Sequence, residues 1–118
     1  MTQTKAPSPD GPSVSADAAL VGPIMQAGEM AELVAEAIAE DNPDAEVQVR
    51  DEGSYIRIHT PGRCRLTRRT LSELAGRPVR IGDVEPHMAF FAGHIITTTD
   101  DIVWHSRQGA ARPTPKES

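Results

Sequence analysis

Between Glu29 and Asp41 the apolar side chains Met30, Leu33, Val34, Ala37 and Ile38 recur at i, i+3, i+4, i+7 and i+8. That spacing puts them on one stripe of an α-helix, while Glu29, Glu32, Glu36 and Glu40 take the remaining arc. A helix with one greasy stripe must find a cover for it. The period then changes from 3.6 to 2. Asn42-Pro43-Asp44 ends the helix, because proline disfavours helical geometry at the residue before it. The runs Glu46–Arg50 and Ser54–His59 alternate, joined by Asp51-Glu52-Gly53, a short loop of hairpin type. Val47, Val49, Ile56 and Ile58 are expected to face the core, and Tyr55, Arg57 and His59 the other side. A helix laid on antiparallel strands is the architecture this implies.

The flanking segments extend it. Leu20–Met25 reads as a strand, with Pro23 placing it at an edge or a sheet entry. After a turn at Thr60-Pro61-Gly62, Arg63–Leu66 reads as a short strand with Cys64 and Leu66 inward. Thr67 is suited to cap a helix over RRTLSELA that buries Leu71, Leu74 and Ala75 and stops at Gly76, with Pro78 beyond. Ile81–Glu85 forms a connector or a single helical turn. His87–Ile96 is the most apolar run and reads as a central strand, and Asp101–His105 as an antiparallel closing strand. The predicted order is β-α-β-β-β-α-β-β: an α+β domain over 20–106, one long and one short helix on a largely antiparallel sheet. Residues 1–19 and 107–118, rich in Pro, Ser and Ala, read as disordered tails.

Charge is unevenly placed. The chain of 118 residues has a net charge of −5, yet Arg57–Arg80 holds seven arginines and a single acid, Glu73. Residues 27–52 hold nine acids and one base, Arg50. A polarised molecule of this kind orients itself on a partner. Arg68 and Arg69 stand in the first turn of the short helix, where the helix dipole disfavours cations by about 0.3–1 kcal/mol. A local cost at that place hints at use.

Most chemistry is excluded. His59, His105 and the pair His87 and His94 fall on three different strands without a zinc-type i, i+4 helical pair, and no Glu-x-x-His motif of a di-iron site occurs. No serine or cysteine has a neighbouring base, and no phosphate-cradling loop is present. Cys64 is the only cysteine, so no internal disulfide forms; it reads as inert core packing, and a reducing cytoplasm fits. No apolar run is long enough to cross a membrane, and the N-terminus lacks the basic and apolar regions of a signal peptide. A nucleic-acid-binding module using Arg57–Arg80 is the alternative reading. The negative net charge and the separation of the four aromatics from the arginines count against it. The residues favour a non-catalytic domain that docks on an acidic protein surface.

Several segments, taken together and in order, carry a family resemblance: VGPIMQAGEM, IAEDNPDAEVQV, SYIRI, LTRRTLSELAGRPV, FFAGHI and DDIVWH. From Val21 to His105 the chain resembles the effector (coupling) proteins of soluble bacterial multicomponent di-iron monooxygenases. The toluene-4-monooxygenase, alkene and isoprene types are nearest; the methane monooxygenase regulatory protein and the phenol hydroxylase effector are more distant. The resemblance implies a cofactor-free α+β protein that binds the hydroxylase above its di-iron centre. There it tunes oxygen activation, product specificity and coupling to NADH oxidation, with the electron-donating ferredoxin competing for an overlapping surface. Asn42-Pro43, Tyr55, Arg57, Leu66-Thr67-Arg68, Gly76-Arg77-Pro78 and Phe91-Ala92-Gly93 match the family pattern. Gly76, Pro78 and Pro43 are explained as helix stops, and Phe91 and Ile56 as core. Asn42, Tyr55, Arg57, Arg68 and Arg69 are the expected hydroxylase interface; Arg63 and Arg65 make the segment more basic than the family implies.

Overall fold

The computed structural model describes residues 19–106, so both expected tails lie almost wholly outside the described residues. Its elements are β1 (Leu20–Gln26), α1 (Glu29–Asp41), β2 (Gln48–Asp51), β3 (Tyr55–Pro61), β4 (Arg63–Thr67), α2 (Arg68–Ala75), a single turn α3 (Ile81–Val84), a 3-10 turn (Glu85–His87), β5 (Met88–Ala92), β6 (His94–Thr97) and β7 (Asp101–His105). The α+β class and the order of elements match the sequence reading, with two refinements. The strands form two sheets, β2-β3-β1-β5 and β4-β7-β6, and every ladder is antiparallel. The apolar run that reads as one central strand is two strands, β5 and β6, each at the edge of a different sheet.

Gly93 makes that break. Its φ is 97°, and a Cβ there would lie 2.7 Å from Val21 Cγ1 and 2.8 Å from the His105 carbonyl oxygen. The chain hands over from one sheet to the other at the one residue that lets the backbone approach so closely. Two further expectations about strand placement are corrected. β1 is not at an edge but pairs with both β3 and β5. Pro23, registered opposite Phe91 of β5, is tolerated because the β1–β3 register runs from Val21↔Thr60 to Ile24↔Arg57 with no registered pair at Gly22 or Pro23, so no ladder bond on that side needs its missing N–H. Val49, expected in the core, is 55% exposed, since β2 is an edge strand that extends past the helices' cover.

The core is a single cluster. Ala31, Val34, Ala37 and Ile38 of α1 pack with Met25 and Val21 of β1, Ile58 of β3, Cys64 and Leu66 of β4, Leu71 of α2, and Ile102 and Trp104 of β7. Burying Val34 and Ile38 stabilises by about 1.5–3 kcal/mol each. Leu74, expected inside, is exposed because only Leu71 of the short helix reaches the core.

Helix ends follow the sequence closely. The Thr67 side chain accepts the Thr70 N–H, and Gly76 stops α2 in the left-handed conformation (φ 72°), its N–H donating to Ser72 O. Asp41, the last residue of α1, joins the helices: its carboxylate accepts from Thr67 N (2.7 Å), Thr67 Oγ1 and Thr70 Oγ1 (2.6 Å). The acid at one helix end thus occupies the N-terminus of the next.

Candidate protein-docking surface

The four-stranded sheet presents one face to the helices, and no other described element covers its second face. Arg50, Arg57, Ile24 and Phe90 stand directly opposite one another across β2, β3, β1 and β5, so their side chains share that outer face. Tyr55, two residues from Arg57, meets Phe90 edge-on with ring centroids 6.4 Å apart and planes at 63°. Phe90 is 63% exposed, Leu20 41% and Tyr55 40%. A contiguous apolar strip rimmed by arginines is the composition of an interaction site, with aromatic anchors at its centre.

Phe91, expected in the core, is 44% exposed. It faces the other side from Phe90 but lies on an edge strand, beyond the main cluster. His59 also departs from expectation. It shares the outer face by alternation but is buried, at 7% exposure. Gly22 makes room for it: a Cβ at Gly22 would come within 3.2 Å of the His59 ring and 2.1 Å of the Ile58 carbonyl oxygen. Burial, with Arg57 close by, holds the His59 pKa below that of an ordinary histidine, against a smaller opposing effect of a backbone hydrogen bond with Gly22. Its Nε2 finds no hydrogen-bond partner among the described residues.

The sign of the resulting pH effect is fixed. With the folded pKa depressed, the unfolded chain binds more protons once the pH drops below about 6.5. Stability from His59 is therefore fully present above that pH and lost as pH falls toward the folded value. The slope is at most about 1.4 kcal/mol per pH unit. Urea titrations from pH 7.5 to 5.0 should show wild-type stability falling more steeply than that of His59→Gln. Parallel curves would mean the imidazole takes up its proton without leaving its site.

The five sequence-predicted interface residues fall into two groups. Tyr55 and Arg57 lie on the outer face just described; the Arg57 guanidinium pairs with Glu52 at 3.0 Å. Asn42, Arg68 and Arg69 lie around the start of α2. Asn42 splices α1 to β4: Nδ2 donates to Ile38 O and Arg65 O (both 2.7 Å), and Oδ1 accepts the Arg65 N–H at 3.0 Å. That spends both donors and leaves one oxygen lone pair for a partner. Arg68 pairs with Asp100 (3.2 Å) and Arg69 with Glu73 (3.3 Å), beside a shallow cleft also lined by Arg65, Arg80 and Pro78.

The positive stretch is therefore largely neutralised at close range. Arg65 pairs with Asp101 and Arg80 with Asp83 as well, so five of the seven arginines have an acid within 4.0 Å. These pairs are solvent-exposed and contribute little to stability, but they reshape the field. Sequence reasoning missed Phe90, Ile24 and Leu20. The signal for Phe90 was Gly93, which interrupts the apolar run and so argues against one continuous buried strand.

Among the described residues no three His, Cys, Asp or Glu side chains gather as metal ligands, and no helix is long and apolar enough to cross a membrane. Cys64 is fully buried, and burial pushes its thiol up to about 12, in keeping with inert packing. What the fold defines is a small α+β domain with a partly apolar, exposed sheet face. Residues 19–105 match the MmoB/DmpM family model, and the chain belongs to that family. It is 38% identical over 89 residues to the alkene monooxygenase system effector subunit of Xanthobacter autotrophicus (strain ATCC BAA-1158 / Py2), covering 75% of this chain and 88% of that protein. A chain in a structure of the phenol hydroxylase–regulatory protein complex superposes with a TM-score of 0.64 at 30% identity, covering 74% of this chain and 98% of that one. The soluble methane monooxygenase regulatory protein B shares the fold, with a TM-score of 0.59 at 20% identity over 79% of this chain and 70% of its own. The family resemblance carried by the sequence segments is thereby established.

Proposed function

We propose that this protein is a non-catalytic effector subunit of a multicomponent hydrocarbon monooxygenase, binding a di-iron hydroxylase through the outer face of β2-β3-β1-β5. The observation that carries the reading is the exposed Tyr55–Phe90 pair, flanked by Leu20, Ile24 and Arg57, on an uncovered sheet face of a family member. The alkene monooxygenase and phenol hydroxylase relatives support the choice of partner. The protein works without a cofactor of its own, in the cytoplasm, and the di-iron centre belongs to the hydroxylase. By binding one hydroxylase conformation better than another it shifts the population toward that state; a tenfold preference corresponds to about 1.4 kcal/mol. Coupling of NADH oxidation to product and control of product specificity follow from that bias. The electron-donating ferredoxin competes for an overlapping surface.

The nucleic-acid reading loses its basis, because most of the arginines it would use are held by acids. Reconstitution tests the effector reading. Iron-free protein added to hydroxylase, reductase and ferredoxin should raise product formed per NADH and saturate near one effector per hydroxylase active site. Turnover and coupling that ignore it would reject the assignment.

A further inference from the structure

Among the described residues, ion pairing leaves two arginines of the basic stretch over, Arg63 and Arg77. Arg77 adds only a minor part to the lowering of the Asp83 carboxyl, which the Arg80 backbone N–H does most to hold below the usual carboxylate range. Arg63 is exposed, and among the described residues no acid lies within ion-pair distance of it. Its registered neighbour on β7 is His105, whose neighbour on β6 is His94. Register places all three on one face of the three-stranded sheet, opposite the face of Cys64, Leu66, Ile102 and Trp104 that enters the core. The two imidazoles stack, with centroids 5.4 Å apart and planes at 23°.

His105 Nδ1 lies 3.1 Å from the Ser106 carbonyl oxygen. A carbonyl only accepts, so Nδ1 carries the proton and donates, and Nε2 is left as the nitrogen that gains a proton. The charged and titratable groups on this face are Arg63 and Arg65 from β4, Asp101 and His105 from β7, and His94 from β6. Arg65 and Asp101 satisfy each other at 3.2 Å. What remains is a row of one fixed cation and two ionisable imidazoles with no counter-charge among the described residues.

We propose that Arg63, His105 and His94 form a receptor for an acidic side-chain cluster on the partner protein, a second docking element whose strength rises as pH falls. It rests on the effector reading, and it adds the chemistry of the partner surface and a proton linkage. Unopposed, the three like charges repel one another as the histidines protonate. A partner's carboxylates relieve that repulsion, so binding and proton uptake favour each other. Ile96, exposed on the same face of β6, supplies an apolar contact beside the row.

Titrating the full-length protein against the hydroxylase by calorimetry at pH 6.0 and 8.0, in low salt, tests this. Wild type should bind at least fivefold more tightly at pH 6.0, with net proton uptake on binding. His94→Gln with His105→Gln should abolish that difference, and Arg63→Glu should weaken binding at least tenfold at pH 6.0. Melting curves of the free variants check that each is folded. Wild-type binding that is independent of pH, or variants that bind like wild type, overturn the receptor while leaving the effector reading intact. Absence of any wild-type binding overturns both. Wild-type binding to a short DNA duplex that strengthens at pH 6.0 and is lost in Arg63→Glu, with hydroxylase affinity unaltered by that substitution, assigns the row to a polyanion and overturns the proposal.

Discussion

Gly22→Ala is expected to be severely destabilising. The new methyl would stand 2.1 Å from the Ile58 carbonyl oxygen, an atom fixed by the β3 backbone. Gly22 also has φ 141°, a conformation that side chains rarely adopt. Overpacking costs about 1–3 kcal/mol and the backbone strain about as much again. A loss of roughly 3–5 kcal/mol is a large share of the ~5–15 kcal/mol that holds a domain together. For a domain of this size the melting temperature should drop by about 15 °C or more. Gly82→Ala is the matched control, because nothing lies within 4 Å of its added Cβ; it should be neutral or slightly stabilising. Circular dichroism melts of both variants decide the matter. If Gly22→Ala melts within about 5 °C of wild type, β1 and β3 separate more easily than their register implies.

Phe90→Asp should have the largest effect on binding. Phe90 is the most exposed large apolar side chain of the domain and contributes little to the core, so the variant should fold with nearly unchanged stability. At an interface an aromatic anchor is worth about 2–4 kcal/mol, and a carboxylate desolvated in its place adds a further cost. Affinity for the hydroxylase should fall by roughly 30-fold or more, and coupling with it. Tyr55→Ala, removing the edge-on neighbour 6.4 Å away, should weaken binding less. Undiminished affinity of folded Phe90→Asp would move the docking surface to another face, with the Arg68–Arg69 region next to test.

Local signals in this sequence were legible because local physics decides them. The stripe on α1, the Thr67 cap, the Gly76 stop and the inward Cys64 and Leu66 all emerge as the residues dictate. What sequence could not give was partnership across the chain. Pro23 suggests an edge when each strand is judged alone, yet β1 is interior, its ladder with β3 skipping that position while the one with β5 pairs Pro23 with Phe91. Phe90 and Phe91 suggest a core strand by hydropathy, yet β5 has a neighbour on one side only. The arginines suggest a bare positive face, yet Asp100 and Asp101 come from 32 and 36 positions away to meet Arg68 and Arg65. His59 alternates as a surface residue, and its burial depends on a glycine on another strand. The recognised segments identify the family where residue physics alone stopped at a docking domain.

Gly62, in the turn between β3 and β4, donates its N–H to the Ala19 carbonyl at 2.8 Å and accepts the Ser106 N–H on its own carbonyl at 2.9 Å. Ala19 and Ser106, the limits of the described residues, are thus fastened to one residue, and the backbone between them closes nearly into a ring. A few residues of linker suffice to splice it into a host protein's surface loop, or to rejoin its ends and reopen the chain at the Gly53 hairpin. The β1–β3 ladder runs from Leu20↔Pro61 at that pole to Gln26↔Tyr55 at the other, about 20 Å away along seven residues of strand. Fusions made directly at Ala19 or Ser106 therefore leave from the same side of the domain and keep clear of Tyr55.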